Sequence, residues 1–202
     1  MRSGEGSRID GSPLRGEARV EGRSDNLDVR GATRARRIVV LAALTLGLGG
    51  CLVSERPLVS PSEAAFPLPD RASAERFTLN ADNNGWNHQA YDSAYRSGST
   101  YVIKRENSDG EMVLTFKRIA ENTFIAQDGS DGGYMYGLLV FQGKTIYEYD
   151  VDCDEFNDAE KQRYGFITKD EDCTVTSAQG LAAAYLAKLQ AGHRPSTAYV
   201  LR

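Results

Sequence analysis

The stretch of sequence that decides the fold runs from residue 100 to residue 151 and reads TYVIKRENSDGEMVLTFKRIAENTFIAQDGSDGGYMYGLLVFQGKTIYEYDV. Apolar and polar residues alternate through much of it with a period of two, which is typical of β-strands. Four segments rich in glycine, asparagine, aspartate or other polar residues interrupt the alternation and are typical of turns. The pattern therefore predicts an antiparallel meander of five strands, at 100–106, 111–119, 123–127, 134–141 and 145–151.

The pattern changes after the meander. Residues 154–163 can form a short helix and residues 173–176 a short strand, and Thr176 and Gln179 have the spacing of a helix capping box. Apolar residues then recur at helical spacing until Gly192 ends the helix. Because one face of this helix is apolar, we expect it to pack on the sheet or to close one end of a barrel. The predicted fold class is α+β, with an antiparallel β-meander that is strongly curved or barrel-like and a C-terminal helix packed on it.

An export signal lies near the start of the chain. Three arginines within 34–37 precede an apolar stretch at 38–48, and two small residues then precede a cysteine. This order of positive charge, apolar segment and small residues is typical of export signals. The tetrapeptide Leu48-Gly49-Gly50-Cys51 resembles the lipobox of bacterial lipoprotein precursors. The resemblance implies that a lipid is attached to Cys51 and that the signal peptide is cleaved between Gly50 and Cys51.

The alternatives to a lipoprotein are a plain secretory signal, in which Cys51 has no special role, and a membrane-spanning helix. About thirteen apolar or small residues at ~1.5 Å each cover about 20 Å, which is short of the ~30 Å hydrocarbon core. The lipoprotein interpretation places the protein in the cell envelope, anchored to a membrane through Cys51 and facing the periplasm. Leu52 follows the cysteine where an aspartate would favour the inner membrane, so the inner leaflet of the outer membrane is the expected location.

Composition divides the chain into four parts. Residues 1–33 are polar and rich in glycine, which predicts disorder and a true start further in. Residues 34–50 form the signal peptide, and 51–70 hold the lipidated cysteine and a tether with four of the six prolines. Residues 71–202 form a single β-rich domain that loosely resembles uncharacterised β-rich envelope lipoproteins of proteobacteria. Within this domain, 80–96 fits either another helix or a long aromatic loop.

The charge of the mature part excludes one class of partner. The first fifty residues hold 9 of the 24 Lys and Arg and 6 of the 28 Asp and Glu, which leaves 15 basic and 22 acidic residues, a net charge of about −7. An acidic domain is repelled by phosphate backbones and anionic surfaces. Nucleic acid is therefore not an expected partner.

The two remaining cysteines, Cys153 and Cys173, lie in a domain that is expected to face an oxidising compartment. Such a pair is predicted to form a disulfide. No C-x-x-C spacing supports a redox-active dithiol instead.

The acidic run at 150–155 is the strongest candidate for a metal site, and it is a weak one. Asp150, Asp152 and Asp154 alternate as in a calcium loop, but Glu155 stands where that loop needs glycine. A solvated acidic turn is the favoured interpretation, so we predict neither a metal nor another cofactor. No G-x-S-x-G or H-E-x-x-H motif occurs, and no catalytic residue is predicted.

Four tyrosines of the meander form a candidate surface for a ligand or partner: Tyr134, Tyr136, Tyr147 and Tyr149. Tyrosine is enriched at interfaces, but strands also bury aromatic residues because these fit a pleated surface. The sequence leaves both interpretations open.

These observations predict a membrane-anchored envelope lipoprotein that is a non-enzymatic binding or structural module, whose partner is an envelope protein or a small ligand. A hydrolase that acts on envelope glycans or peptides through carboxylates is the first alternative. A small lipocalin-like carrier is the second, although five or six predicted strands are fewer than the eight that such a barrel needs.

Overall fold

The computed structural model describes residues 52–130, 132–169 and 172–202, and these contain eleven strands and two α-helices. The strands are β1 Leu52–Ser54, β2 Arg71–Leu79, β3 Trp86–Ser97, β4 Thr100–Arg105, β5 Glu111–Ala120, β6 Thr123–Ser130, β7 Gly133–Gln142, β8 Thr145–Tyr149, β9 Phe166–Lys169, β10 Asp172–Val175 and β11 Thr197–Leu201. The helices are α1 Asp158–Tyr164 and α2 Ala178–Gln190, and short 3₁₀ turns occur at Pro61–Glu63 and Cys153–Glu155.

Eight of the strands form a closed antiparallel barrel. Their order around the barrel is β6-β5-β4-β3-β2-β11-β8-β7, and pairing between β6 and β7 closes it. The five-strand meander that the alternation predicts is β4 to β8 and is confirmed. The predicted α+β class, with a barrel-like meander and a C-terminal helix against it, is also confirmed.

Three strands of the barrel wall were not predicted: β2, β3 and β11. The expectation of a helix or an aromatic loop over 80–96 is wrong for most of that segment, because β3 pairs with β2 on one side and with β4 on the other. Its inward positions hold Ala90, Asp92 and Ala94, whereas Tyr91 and Tyr95 are exposed. The strand therefore lacks the alternation of apolar-inside and polar-outside residues that identifies a strand in sequence.

The outer face of β6, β7 and β8 carries a second hydrophobic core. The small strands β1, β10 and β9 continue the sheet beyond β7, and α2 packs over them and over the barrel wall. Leu181, Ala184 and Tyr185 of α2 are almost completely buried there. Gly180 allows the two helices to approach closely, since a Cβ at this position would collide with the carbonyl oxygen of Tyr164 in α1.

Helix α2 begins one residue later than the predicted capping box. Ser177 is its N-cap, and the Ser177 side chain accepts a hydrogen bond from the backbone N–H of Gly180 at 3.0 Å. Thr176 instead donates its hydroxyl to the carbonyl oxygen of Gly165, 2.7 Å away. Either hydroxyl could accept a hydrogen bond from a backbone N–H of the first helical turn. The path of the chain out of β10 places Ser177, and not Thr176, at the N-cap position.

The predicted disulfide between Cys153 and Cys173 is confirmed. The Cα atoms are 5.4 Å apart and the two residues are separated by 20 positions in sequence. The bond joins the 3₁₀ turn that follows β8 to strand β10, so it fixes the outer layer to the barrel. Both cysteines belong to the outer core.

Residues 52–70 differ from the expected proline-rich tether, because they pack on the barrel. Strand β1 pairs in parallel with β10 and antiparallel with β7. The backbone N–H groups of Leu58 and Val59 both donate to Oε1 of Gln127 at 2.8 Å. Further along, the Tyr101 hydroxyl donates to the carbonyl oxygen of Leu68 at 2.5 Å. Prolines are compatible with this path because the backbone N–H groups that bind Gln127 belong to Leu58 and Val59, and a proline lacks only its own N–H.

The predicted signal peptide, the cleavage site at Gly50 and the lipidated Cys51 lie outside the residues that the structure describes. Within the described ranges, neither helix has the length and apolar character needed to cross a membrane.

Candidate functional site: the barrel interior

The interior of the barrel holds a cavity of about 80 Å³. Much of its wall is apolar and comes from inward positions of β4, β5, β7, β8 and β11, namely Ile103, Met112, Leu114, Phe116, Phe141, Ile146 and Leu201. Small side chains on the opposite wall leave this space open, since β2 and β3 contribute Ala72, Ala74 and Ala94. A volume of ~10–15 Å³ is needed to hold one water molecule, so the cavity has room for several waters or for a small organic group.

Charged and polar side chains line the other part of the same cavity: Asp92, Arg105, Glu148 and Tyr199. Nε of Arg76 lies 3.0 Å from Oδ2 of Asp92. The Tyr199 hydroxyl donates to Oε2 of Glu148 at 2.7 Å. The cavity is thus amphipathic, with an apolar region and a region of buried charge.

Strand register explains why these side chains meet. Asp92 on β3 is paired directly with Arg105 on β4, and Tyr199 on β11 is paired with Arg76 on β2. Residues directly opposite in an antiparallel pair project from the same face of the sheet. Glu148 follows Ile146 at a spacing of two on β8, so both face inward. The closed barrel brings all these strands around one interior.

Burial raises the pKa of Glu148 from 4.5 to about 7. The hydrogen bond from Tyr199 and the positive charges of Arg105 and Arg76 act in the opposite direction, whereas the negative charge of Asp150 raises the pKa further. Desolvation disfavours the ionised form of a carboxyl group and is the dominant cause here. Glu148 is therefore a buried acid that can gain or lose a proton near neutral pH.

Asp92 is buried but incompletely satisfied. Only 6 % of the residue is exposed, and burial raises the pKa of its carboxyl group, against the charges of Arg76 and Arg105. The contact with Arg76 is a close ion pair that lacks good hydrogen-bond geometry. Among the described residues, neither carboxylate oxygen of Asp92 therefore accepts a hydrogen bond. Nε of Arg76 likewise donates no hydrogen bond within the described residues, so the two charged groups lie against each other as an ion pair with poor hydrogen-bond geometry. Buried polar atoms in this state are uncommon in proteins.

The four tyrosines of the candidate surface do not form an exposed patch. Tyr136 and Tyr149 are buried in the outer core, and Tyr134 and Tyr147 are half-buried against it. The Tyr136 hydroxyl lies 2.6 Å from Oγ of Ser54, and the carbonyl oxygen of Tyr136 accepts from the Tyr185 hydroxyl at 2.8 Å. Tyr136 and Tyr149 are therefore not available at the surface, and a role of the half-buried Tyr134 and Tyr147 in binding stays a prediction. All four point outward from the barrel, where the outer core buries Tyr136 and Tyr149 and packs against Tyr134 and Tyr147.

The acidic run at 150–155 has a structural role in the part of the chain that the structure describes. Asp152 is the N-cap of the 3₁₀ turn, and its backbone N–H donates to Glu155 at 3.2 Å. Nε2 of His193 donates to the carbonyl oxygen of Asp150 at 2.6 Å. Asp150, Asp152 and Asp154 are not brought together as ligands, because no group of three or more His, Cys, Asp or Glu side chains in the described ranges could hold a metal ion.

Sequence reasoning missed the residues at the polar end of the cavity, which are Asp92, Arg105, Glu148 and Tyr199, and also Arg76, which pairs with Asp92. One signal was available, since Glu148 occupies a position in phase with Ile146, where an inward apolar residue is expected. The other residues lie on strands that were not predicted or at the end of one that was. No alternation identified them as inward-facing.

The barrel interior can bind a small molecule that has an apolar part and a polar part, because the two kinds of wall meet in one cavity. Its carboxyl groups accept hydrogen bonds and one of them titrates near neutral pH. Comparison with family models, curated proteins and solved structures found no match to this chain.

Proposed function

We propose that this chain is a lipid-anchored protein of the bacterial envelope whose barrel binds a small molecule in its interior without catalysing a reaction. One observation carries the binding proposal: a closed eight-stranded barrel encloses a cavity that is apolar on one side and charged on the other. Barrels of eight strands are just wide enough to hold side chains or one small ligand. The eight strands also remove the objection to a lipocalin-like carrier, which was based on a count of five or six.

The size of the cavity argues against the hydrolase. Asp92 and Glu148 both line it and are the carboxyl groups that such an enzyme would use. An engineered cavity of about 150 Å³ holds one benzene molecule, and the cavity here has about 80 Å³. A sugar ring or a peptide segment therefore does not fit between these two acids without a large opening of the barrel.

The anchor is proposed from the lipobox resemblance. Two or more acyl chains hold a small domain firmly on a membrane, because each buried CH₂ contributes ~0.8 kcal/mol. Since β1 begins at Leu52 and is part of the outer sheet, a lipid on Cys51 would place the barrel directly at the membrane surface. No long flexible segment would separate the two.

Replacing Cys51 by serine is expected to remove the lipid and to release the protein from the membrane fraction of bacterial cells. Serine lacks the thiolate that accepts the lipid, so the acyl mass disappears from the intact-mass spectrum. Cys173→Ser is the matched control, and we expect that variant to keep the acyl mass although it loses the disulfide. A Cys51→Ser protein that still carries acyl mass would contradict the anchor.

Filling the barrel is expected to abolish ligand binding. Ala126 on β6 lines the cavity and is fully buried, so Ala126→Leu adds three carbon atoms inside the barrel. The added volume costs about 1–3 kcal/mol of stability. Native mass spectrometry of protein extracted gently from membranes measures the bound mass, which we expect in the wild type and not in this variant.

Ala120→Leu is the matched control, because Ala120 is exposed at the end of β5. We expect it to keep the bound mass. Two results contradict interior binding: equal bound mass in wild type and Ala126→Leu, or no bound mass in the wild type. The second result would favour a protein partner on the outer surface of the barrel.

A further inference from the structure

A basic depression of about 790 Å³ lies on the outer surface of the barrel, where β2, β3 and β4 run side by side. Its polar lining comes from Asp70, Arg71, Ser93, Tyr95, Arg96 and Lys104. Three of these side chains are basic and one is acidic, although the whole chain has a net charge of −4. The depression is therefore a local region of positive charge on an acidic protein, and it attracts anions.

Strand register explains the shape of the depression. Tyr95 on β3 is paired with Arg71 on β2, and Ser93 on β3 is paired with Lys104 on β4. Residues directly opposite in an antiparallel pair project from the same face of the sheet, and all four of these residues are exposed. Ser93 is short, whereas its neighbours are long. The serine therefore forms the floor, and the long side chains form the walls.

Two hydrogen-bond donors of the depression have no partner among the described residues. The guanidinium group of Arg71 makes no ion pair or hydrogen bond there, and the hydroxyl of Ser93 makes no hydrogen bond. Arg96 differs, because its Nε donates to the carbonyl oxygen of Gly98 at 3.3 Å and its guanidinium group lies 3.6 Å from the centre of the Phe66 ring. Arg96 is thus held in place and contributes mainly its charge.

Two acidic side chains compete for the basic groups, and both are exposed. Oδ1 of Asp70 lies 3.5 Å from an Nη atom of Arg96, and the Asp70 side chain is 83 % exposed. Oε1 of Glu111, which does not line the depression, lies 2.7 Å from Nζ of Lys104. Exposed ion pairs contribute only ~0.2–1 kcal/mol each. A ligand with more negative charge than one carboxylate can therefore displace Glu111 from Lys104.

From this arrangement we infer that the depression binds the phosphate group of a small soluble phosphate monoester. Arg71, Ser93 and Lys104 donate to the phosphate oxygens, and the rest of the ligand lies against the ring of Tyr95. The three donors come from three strands around one floor, which suits the three terminal oxygens and the charge of about −1.5 to −2 of a phosphate monoester. Arginine and lysine are both common phosphate-binding residues. A carboxylate has only two oxygens and one charge.

The site is separate from the interior cavity, so the inference does not depend on the proposed function. A phospholipid head group shares the phosphate chemistry. As a diester, however, it carries one negative charge and has only two free oxygens, and for this reason the soluble monoester is favoured.

The test compares four probes that share one ring: phenyl phosphate, phenyl sulfate, benzoate and phenol. NMR titration of the backbone amides measures binding to the purified full chain with Cys51→Ser, so that no lipid anchor contributes. We expect phenyl phosphate to bind most tightly and to shift amides of β2, β3 and β4. Phenyl sulfate has the same shape but one charge and is expected to bind more weakly, benzoate more weakly still, and phenol not at all.

Arg71→Gln and Lys104→Gln are each expected to weaken the binding of phenyl phosphate about fivefold, which corresponds to the loss of one exposed charge contact. Arg163→Gln makes the same chemical change at an exposed position of α1 and is expected to leave the affinity unchanged. Ala126→Leu, which fills the interior, is also expected to leave it unchanged. All three charge substitutions are at the surface, so the variants should fold like the parent protein.

Several results would overturn the inference. Benzoate or phenol binding as tightly as phenyl phosphate excludes a phosphate site. An affinity that Arg71→Gln does not change, or that Arg163→Gln lowers equally, indicates only general attraction to surface cations. Tighter binding to vesicles of phosphatidylglycerol than to phenyl phosphate, lost in Arg71→Gln, assigns the depression to lipid instead. An affinity lost in Ala126→Leu places the probe in the interior cavity.

Discussion

Glu148→Gln is expected to stabilise the protein by about 3 kcal/mol at pH 8 and to have little effect at pH 4. The folded protein raises the pKa of Glu148 from 4.5 to about 7, at about 1.4 kcal/mol for each tenfold change in the ionisation constant. Between pH 4.5 and about pH 7, Glu148 keeps its proton in the folded state and has lost it in the unfolded state. The stability of the wild type therefore falls as pH rises through this interval, and the full loss is present above about pH 7.

Glutamine removes the ionisation and keeps an oxygen that can accept the hydrogen bond from Tyr199. Urea unfolding gives the free energy of unfolding of wild type and variant at pH 4 and at pH 8. The difference between variant and wild type is then compared at the two pH values, so that the contributions of the other titrating groups cancel. Glu121→Gln, in the exposed turn between β5 and β6, is the control and is expected to follow the wild type at both pH values. If the free energies of unfolding of Glu148→Gln and wild type change with pH in the same way across this range, the carboxyl group of Glu148 does not have the raised pKa that burial predicts.

Removing the disulfide is expected to lower the free energy of unfolding by about 3 kcal/mol. The bond closes a loop between residues 20 positions apart, and in the chain-entropy model a loop of this size restricts the unfolded chain by that amount. The loop contains α1 and β9. Loss of the bond is therefore also expected to destabilise the outer core before the barrel unfolds. Denaturant unfolding of the Cys153→Ala/Cys173→Ala double variant measures the global effect.

A reducing agent provides the control for this prediction. It should destabilise the wild type by a similar amount and leave the double variant unchanged, because the variant has no bond to reduce. Hydrogen exchange should show the loss of protection first in α1 and β9 and last in β5 and β6. Equal midpoints for oxidised and reduced wild type would indicate that the bond does not constrain the unfolded state.

The candidate site was not predictable from the sequence in the way that the meander was. The strands β4 to β8 have near-continuous alternation and clear turns, and each of these local signals is sufficient to predict a strand. The strand β3 places Asp92 inside and Tyr91 outside, which reverses the usual pattern. Asp92 is one of the side chains that form the polar end of the cavity, so the inward polar residue that hid the strand also contributes to the site.

The tyrosines show a second limit of the sequence pattern, which does not reveal whether an outward residue is covered by another element. In β8, Tyr147 and Tyr149 alternate with Ile146 and Glu148 and lie on the outer side of the barrel. Whether an outward residue meets solvent depends on what packs over it, and the packing of α2 on this wall is a long-range contact. The proline-rich segment is a similar case, because Gln127 holds it on the barrel from 68 positions away in sequence.

By itself, the sequence determined the elements whose physical causes are local: the meander, the C-terminal helix and the class of fold. It also indicated the pairing of Cys153 with Cys173, since only two cysteines remain after the lipobox. The closure of the barrel, the outer core over the tyrosines and the amphipathic cavity were decided by the tertiary structure. These features depend on β2, β3 and β11 completing the wall between β4 and β8, and on which side chains that closure turns inward. A pattern within one segment carries no information about such partners.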